Sequence, residues 1–270
     1  MRVAVVGHVE WVEFARVERL PVPGEIIEAS EWWSEAAGGG GVASVQLSRL
    51  AGSCTLYTAL GRDELGEHAY AQLTALGVRV EAGRHEEPQR RGFTFVDGEG
   101  ERTITIIGEK HVPLAADPLP WDALAQADAV YFVSGDADAL RAARLARVLV
   151  ATARVLPTVA EAGVELDALV RSGSDPSERF AAGDLDPEPR LVVATAGRRG
   201  GAWTTADGRS GTYAAAELSG PLEDTYGAGD SFAAGLTFAL ASGRETATAL
   251  AFAAGCGAGA LARRGAHGRC

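Results

Sequence analysis

The chain has 270 residues, which suits one large α/β domain with a small appendage or two small domains. Hydrophobic residues make up 47% of the chain and charged residues 23%, as in ordinary globular proteins with a sizeable core. The net charge of -11 argues against binding to nucleic acid or to an anionic membrane surface, because both would repel the chain.

The three cysteines exclude a disulfide framework and a cysteine zinc site, because Cys54, Cys256 and Cys270 are widely spaced without a C-x-x-C pair. Reduced thiols are typical of a cytoplasmic protein, so we expect that location. The amino-terminal apolar run is too short for a signal sequence, and no run of eighteen apolar residues predicts a membrane span.

The first third of the chain predicts a buried strand, a β pair and two strand–helix units. Residues 2–6 are an apolar strand ending at a glycine, and 9–33 form two antiparallel arms interrupted by proline and glycine. After A-G-G-G-G at 37–41, helical spacing predicts a helix at 42–50. A strand at 55–60 and a helix at 64–76 follow, and Gly77 ends that helix.

Residues 92–107 interrupt this rhythm, because two alternating runs around a D-G-E-G turn predict a hairpin. The rest of the chain alternates again. We predict strands at 129–133, 148–151 and 190–195, a hairpin at 200–216, and helices at 137–145, 165–170, 229–242 and 245–262.

Strand–helix alternation predicts an α/β fold, a three-layer α/β/α sandwich with a mostly parallel central sheet. The arms at about 9–33 and the hairpin at 92–107 lie outside that alternation. We expect them to form a small β lid over the carboxyl edge of the sheet, where open α/β folds bind ligands. Residues 1–270 would then form a single domain with this lid.

The most informative segment is 224–235, D-T-Y-G-A-G-D-S-F-A-A-G. A glycine-rich turn leads directly into an amphipathic helix, whose free N–H groups and dipole make an anion site. Asp230 at that place fits a phosphoryl group in transit, with the carboxylate accepting a proton from the attacking hydroxyl. The alternative is a plain helix cap or dipole partner.

This segment resembles the second signature of the ribokinase-like, or PfkB, carbohydrate kinase family, D-T-x-G-A-G-D-x-F-x-x-G. The resemblance implies a ribokinase-like fold and an ATP- and Mg²⁺-dependent kinase with Asp230 as the catalytic base. It also implies an anion hole made by the amides of Gly227, Ala228 and Gly229, together with that of Asp230. All the fixed positions of the signature are present: Asp224, Thr225, Gly227, Ala228, Gly229, Asp230, Phe232 and Gly235.

Acceptor binding is implied at two further places. Gly38, Gly39 and Gly40 resemble the family's first signature, G-G-x-x-x-N, but Val42 stands where the asparagine is expected. A valine side chain forms no hydrogen bond, so one sugar contact is missing or replaced. Glu10, in the first βα loop, fits the family's polar sugar-binding position. The alternative for the three glycines is a turn that binds no ligand. The alternative for Glu10 is a solvated position on a lid strand.

Nucleotide binding is implied by T-A-G-R-R-G at 195–200, which resembles the family's T-x-G-x-x-G. The resemblance implies that Thr195, Gly197 and Gly200 bind the nucleotide. It implies the same role for Thr225 and Gly227 of the second signature.

A magnesium site is implied by Asp175 and Glu178, which resemble the family's N-x-x-E element with Asp in place of Asn. Mg²⁺ prefers oxygen ligands and keeps several waters, so these acids would hold it indirectly, through water. The pair also fits a helix N-cap with an acid three residues later. The five histidines show no metal-ligand spacing and are interpreted as surface or loop residues: His8, His68, His85, His111 and His267.

We therefore expect ATP-dependent phosphorylation of a hydroxymethyl group on a sugar or nucleoside-like acceptor. The alternative is a non-catalytic sugar- or nucleotide-binding regulatory protein on the same scaffold. A P-loop is absent, and a dinucleotide-binding fingerprint is missing after the first strand. The expected partner is a small molecule, without nucleic acid or membrane, and exposed lid edges would allow two copies to pair as a homodimer.

Overall fold

The computed structural model describes residues 1–268 as thirteen strands and six α-helices. The strands are β1 (Val3–Val6), β2 (Glu10–Arg16), β3 (Glu31–Ala37), β4 (Cys54–Gly61), β5 (Val78–His85), β6 (Arg91–Val96), β7 (Arg102–Ile107), β8 (Ala129–Phe132), β9 (Val148–Thr152), β10 (Ala168–Ser172), β11 (Leu191–Thr195), β12 (Gly201–Thr205) and β13 (Ser210–Tyr213). The helices are α1 (Gly38–Ala51), α2 (Glu64–Ala75), α3 (Ala137–Ala143), α4 (Leu156–Ala162), α5 (Ala228–Ala241) and α6 (Thr246–Leu261).

Nine strands form the central sheet, in the order β13-β12-β11-β10-β9-β8-β1-β4-β5. The strands from β11 to β5 are all parallel, whereas β12 and β13 extend the sheet as an antiparallel hairpin. The carboxyl ends of the parallel strands therefore share one edge of the sheet, which is where open α/β folds bind ligands.

Successive side chains along each strand point to opposite faces of the sheet, and helices cover both of these faces. Val3 and Val5 of β1 belong to one apolar cluster with α1, α2, α5 and α6. Ala4 and Val6 belong to a second cluster with α3 and α4. The predicted three-layer α/β/α sandwich is confirmed. None of the helices within residues 1–268 has the length and apolar character needed to cross a membrane.

Four strands form the second sheet, in the order β3-β2-β6-β7, and this sheet is the predicted β lid. Phe14 stacks on Trp33 at 4.9 Å between ring centroids and meets Tyr226 edge-on at 5.0 Å, so the lid is packed onto the body of the protein. All six residues of the edge strand β7 are exposed.

Two elements differ from the sequence prediction. The helix expected at 165–170 is wrong: Ala168–Ser172 is β10, paired with β9 and β11, and the helix of this unit is α4. The strand β5 at Val78–His85 was not predicted at all, although its first residues alternate between buried and exposed. Cys54 and Cys256 are free thiols, as expected, while Cys270 lies outside the described residues.

Candidate active site

Polar residues follow the carboxyl ends of neighbouring parallel strands, and Thr195, Glu178 and Glu10 among them were expected to bind ligands. Thr195 ends β11, Glu178 follows β10, Arg154 follows β9, Ser134 follows β8, and Glu10 lies just beyond β1. The amino terminus of α5 packs against β8 and β9 in the middle of this row. Residues that are far apart in sequence therefore lie together along one edge of the sheet.

The first turn of α5 carries unpaired amides. Gly227 precedes the helix with a φ of 72°, a conformation that favours glycine, and no side chain caps the helix. The N–H groups of Ala228, Gly229 and Asp230 have no acceptor elsewhere in residues 1–268. These donors, together with the positive end of the helix dipole, can bind an anion.

Asp230 lies in this first turn and is half-buried, facing the start of α1. A Cβ atom at Gly39 would lie only 3.1 Å from its Oδ1 atom. Burial raises the pKa of Asp230, and the positive charges of Arg154 and Arg102 act in the opposite direction. A carboxylate in this position can accept a proton from a bound hydroxyl group.

The residues before α5 attach the turn to the rest of the protein. Asp224 is fully buried and accepts hydrogen bonds from the amides of Tyr226 at 2.8 Å and Gly265 at 2.5 Å. The Thr225 amide donates to the Gly100 carbonyl at 3.1 Å, and Arg102 donates to the Thr225 carbonyl. Thr225 therefore contacts the turn of the lid, and the glycine-rich segment is fixed from two sides.

Glu10 begins β2 and is buried, with the Arg90 guanidinium 2.9 Å from its Oε1 atom. Burial raises its pKa. The positive charges of Arg90 and Lys110 oppose that increase, and the negative charge of Asp230 adds to it. The negative charge of Asp230 is therefore near enough to act on the pKa of Glu10. The alternative of a solvated lid residue is excluded for Glu10, because the side chain is buried.

The three glycines expected to bind the acceptor differ in what their amides do. Gly38 donates to the Tyr226 hydroxyl at 3.4 Å, and Gly40 donates to the His8 carbonyl at 3.0 Å. The Gly39 amide has no partner outside its own helix within residues 1–268. Of the three, Gly39 is therefore the donor available to a ligand beside Asp230.

His8 lies inside this site, so its interpretation as a plain surface or loop residue is wrong. Its amide donates to the Ser134 hydroxyl at 2.9 Å, and its Nε2 atom lies 3.8 Å from Glu10. Burial lowers the pKa of His8 well below its usual value, so the ring is neutral at pH 7. His111 and His267 are also buried. The spacing of these histidines in the sequence does not predict their burial, because each one follows a different strand or helix.

Three basic residues near the site were not singled out from the sequence: Arg90, Lys110 and Arg154. Lys110 is the only lysine among 25 basic residues. It is exposed, and its charge lowers the pKa of His8 and acts on Glu10. Its neighbour His111 donates from Nε2 to the Pro88 carbonyl at 2.8 Å, which holds it beside the segment that carries Arg90.

Val42 was expected at the asparagine of the first signature, but counting G-G-x-x-x-N from Gly38 puts that position at Ala43, and Val42 is a packing residue. It is 1% exposed and lies in an apolar cluster with Phe14, Trp33 and Tyr226. A Cβ atom at Gly227 would lie 2.9 Å from Val42 Cγ1, so the valine packs directly under the start of α5. Val42 and Ala43 are both buried and apolar, so neither side chain can form the hydrogen bond that an asparagine would form.

Asp175 and Glu178 lie together after β10, beside Arg154. Asp175 accepts hydrogen bonds from the hydroxyl and the amide of Ser177, which lower its pKa and confirm the predicted cap. Glu178 accepts from Arg154 Nε at 2.7 Å and from the Ser172 amide at 2.6 Å. Because both Glu178 oxygens are already bonded, the pair fits Mg²⁺ held through water better than direct coordination.

A cavity of about 540 Å³ opens beside the end of β11, where a nucleotide was expected. Thr195 lines it. Gly197 (φ 56°) and Gly200 (φ 77°) shape the turn at its border. A Cβ atom at Gly200 would lie 2.0 Å from the Tyr213 carbonyl oxygen, so this glycine lets the hairpin pack closely. The cavity is lined by Gly173, Ala194, Thr195, Ala196, Arg199, Gly201, Ala202, Thr212, Tyr213 and Ala214.

Comparison with known proteins agrees with this geometry. The family model described as pfkB family carbohydrate kinase matches residues 1–182 and 164–269. The ATP-dependent ribose-1-phosphate kinase of Halopiger xanaduensis is 30% identical, with 99% of this chain and 94% of the relative covered.

Solved structures share the fold at lower identity. The ribokinase of Thermotoga maritima superposes with a TM-score of 0.78 at 19% identity, covering 98% of this chain and 94% of that one. The adenosine kinase of Sinorhizobium meliloti gives a TM-score of 0.78 at 19% identity, covering 98% of this chain and 95% of that one. At such identity the likeness establishes the fold.

Proposed function

Because this chain belongs to the pfkB family of carbohydrate kinases, we propose that it transfers the γ-phosphoryl group of ATP to a hydroxymethyl group of a sugar or sugar-like acceptor. The observation that carries this proposal is the half-buried Asp230 carboxylate beside the unpaired amides of residues 228–230. A base and an anion site in contact are what this reaction requires.

In the proposed reaction, Asp230 accepts the hydroxyl proton as the acceptor oxygen forms a bond to the γ-phosphorus. The bond between that phosphorus and the bridging oxygen of ATP breaks, and ADP leaves with the electron pair. The amides of Gly227, Ala228, Gly229 and Asp230 stabilise the charge that develops on the transferred group. Arg154, which is close enough to act on the pKa of Asp230, is available to the same group.

ATP would occupy the cavity beside Thr195, with Gly197, Gly200, Thr225 and Gly227 bordering its path to Asp230. Asp175 and Glu178 would hold Mg²⁺ through water. When bound, Mg²⁺ offsets the negative charge of the nucleotide phosphates.

On the acceptor side, Glu10 and the Gly38, Gly39 and Gly40 segment would bind the sugar, with Gly39 as the free donor. Two cations, Arg90 and Lys110, lie on this side, and only Arg90 pairs with Glu10. Lys110 has no carboxylate partner among the described residues, although the chain as a whole is acidic.

A cation without a direct ion pair beside a sugar site favours an acceptor that carries its own phosphate. The likeness to the ribose-1-phosphate kinase of Halopiger xanaduensis supports the same choice. We therefore propose a phosphorylated pentose as the acceptor, ahead of a neutral sugar or a nucleoside.

The experiment is an assay of ADP release with ATP, Mg²⁺ and one of three acceptors: ribose-1-phosphate, ribose or adenosine. We expect the highest kcat/KM with ribose-1-phosphate. Asp230→Asn is expected to lower kcat by about 10²–10⁴-fold, the usual contribution of a positioned base, without weakening ATP binding. The exposed Asp207→Asn is the matched control.

Near-normal turnover of Asp230→Asn would remove Asp230 as the base. Binding of ATP and of a sugar without any ADP release from the wild-type chain would favour the non-catalytic regulatory protein instead. A preference for ribose or adenosine would keep the kinase proposal but overturn the choice of acceptor.

Lys110 allows a second test of the acceptor, because an amine-reactive reagent can modify only this side chain and the amino terminus. We expect ribose-1-phosphate to slow modification of Lys110 and ribose to slow it much less. The amino terminus provides the internal control in the same sample. Equal protection by both sugars would contradict a phosphate contact at Lys110.

We also propose that two copies pair through the lid. The six exposed residues of β7 leave an unpaired strand edge that carries Ile104, Ile106 and Ile107. The test is light scattering after gel filtration. We expect a dimer for the wild type and a monomer for Ile104→Pro, because the Ile104 amide faces the free edge and proline cannot donate there. A wild-type monomer at assay concentration would contradict the pairing.

A further inference from the structure

Two histidines and a glutamate come together at the outer end of the central sheet. His85 ends β5, Glu87 follows it, and His111 lies after the lid strand β7. One ligand atom from each lies within 4.8 Å of the others, and no other group of this kind occurs in residues 1–268. The cluster is separate from Asp175 and Glu178, which follow β10 on the other side of β1.

Hydrogen bonding orients both imidazole rings. The Pro88 carbonyl, 2.8 Å from His111 Nε2, can only accept, so this nitrogen carries the proton and Nδ1 keeps its lone pair. His85 Nε2 lies 3.6 Å from Asp117 Oδ1, which favours the same tautomer. Metal-binding histidines commonly have a carbonyl or carboxylate behind the second ring nitrogen in this way.

The remaining atoms of the cluster have no protein partner. His111 is 4% exposed, and its Nδ1 atom forms no hydrogen bond with the described residues. Glu87 is exposed, and its carboxylate has no hydrogen bond or ion pair within residues 1–268. His111 Nδ1 and the Glu87 carboxylate are therefore both available to a ligand.

We propose that His85, Glu87 and His111 bind a divalent transition-metal ion of the zinc type, with water as the fourth ligand. Two imidazoles and one carboxylate suit such an ion, whereas Mg²⁺ prefers oxygen ligands alone. Zinc bonds of about 2.0–2.1 Å bring tetrahedral ligand atoms to about 3.4 Å apart, so the widest pair must close by about 1.4 Å. Rotation of the exposed Glu87 side chain would bring its carboxylate toward the two rings, and small rotations of the imidazoles would close the remaining distance.

The ion would connect two loops that reach the acceptor side of the site. Glu87 lies three residues before Arg90, and His111 directly follows Lys110. Bound metal would therefore hold the segments 86–90 and 108–111 to each other and to the end of β5. The proposal stands independently of the kinase proposal, because the ligands are distinct from Asp230 and from the residues around it.

The test uses the full chain after dialysis against a chelator, followed by calorimetric titration with ZnCl₂ and, separately, MgCl₂. We expect one Zn²⁺ per chain, a visible absorption band with Co²⁺, and slower hydrogen exchange in 86–90 and 108–111. Glu87→Gln and His85→Asn should each weaken Zn²⁺ binding by about tenfold or more. Glu87 is exposed, so its variant is expected to fold normally.

Glu64 and His68 provide a matched control, because this exposed pair on α2 also places an imidazole beside a carboxylate, at 3.7 Å. The variant Glu64→Gln with His68→Asn is expected to bind Zn²⁺ as the wild type does. Absence of stoichiometric binding in the wild type would overturn the proposal. So would unchanged affinity in both Glu87→Gln and His85→Asn, because the ion would then lie elsewhere.

Discussion

Gly39 approaches Asp230 so closely that a Cβ atom on the glycine would lie 3.1 Å from the carboxylate oxygen Oδ1. The two residues are 191 positions apart and belong to the two segments that resemble family signatures. Their contact places the free amide of Gly39 next to the proposed base. The reacting hydroxyl would lie beside this contact, within reach of both the Gly39 amide and the Asp230 carboxylate.

We expect Gly39→Ala to lower kcat/KM by about 10²-fold, because small displacements at a reacting centre cost that much. The added methyl group would also lie 2.6 Å from Val133 Cγ1, so the start of α1 must shift. Gly41→Ala is the control, since its nearest contact is an ordinary 3.7 Å and the substitution favours helix. Steady-state kinetics on both variants test this, and wild-type values for Gly39→Ala would contradict it.

Arg154 is expected to set the acidic limb of the pH–rate profile. It is the largest influence that lowers the pKa of Asp230 against the effect of burial. Arg154→Gln should therefore raise that pKa, and activity should then appear only at higher pH because the base must be ionised. The measurement is kcat/KM against pH, with the exposed Arg79→Gln as control. An unmoved limb would show that Arg154 does not act on the base.

Glu35 makes stability depend on pH. Burial raises its pKa from 4.5 to about 7 in the folded state, so the folded chain binds the proton more tightly than the unfolded chain. The stabilisation that Glu35 contributes by binding this proton is complete below about pH 4.5 and is lost as the pH rises through 7. The full difference is roughly 3 kcal/mol in the free energy of unfolding.

Glu35→Gln should remove this loss, because Oε1 can still accept from Trp33 Nε1 at 2.7 Å and from the Ala266 amide at 3.2 Å. Urea unfolding at pH 5 and pH 8.5 should show the variant gaining stability over the wild type as the pH rises. The exposed Glu28→Gln is the control. A constant difference at the two pH values would mean that Glu35 keeps an ordinary pKa.

Val42→Asn should destabilise the fold by about 1–3 kcal/mol, since it places an amide in an apolar cluster. The same substitution at the exposed Val22 should leave the unfolding free energy within about 0.5 kcal/mol of the wild type. Thermal or urea unfolding distinguishes the two. A Val42→Asn protein that is fully stable and has a lower KM for ribose would show instead that position 42 faces the acceptor.

Periodicity predicted most of the fold, and its two failures have physical causes. The segment around 165–170 contains Glu, Leu and Ala at helical spacing, but pairing with β9 and β11 on both sides makes Ala168–Ser172 a strand. Short buried strands resemble buried helix segments in sequence. The edge strand β5 was missed because charged residues fill its exposed positions.

The candidate site was predicted only where it follows a contiguous motif. Asp230 and its amides lie in one segment whose turn chemistry indicates an anion site. Arg90, Lys110 and Arg154 follow different strands, and only the assembled sheet edge brings them near Glu10 and Asp230. His8 was misjudged for the same reason, because burial at the end of β1 is a property of the tertiary structure.

The linear arrangement of β11, β10, β9, β8 and β1 along one sheet edge has a kinetic consequence. In the proposed reaction a nucleotide would enter beside β11 and an acceptor beside β1, so the two would reach the amino terminus of α5 from opposite directions. Neither molecule obstructs the route of the other. We therefore expect a ternary complex with intersecting double-reciprocal plots, and isotope exchange between ATP and ADP only when the acceptor is present.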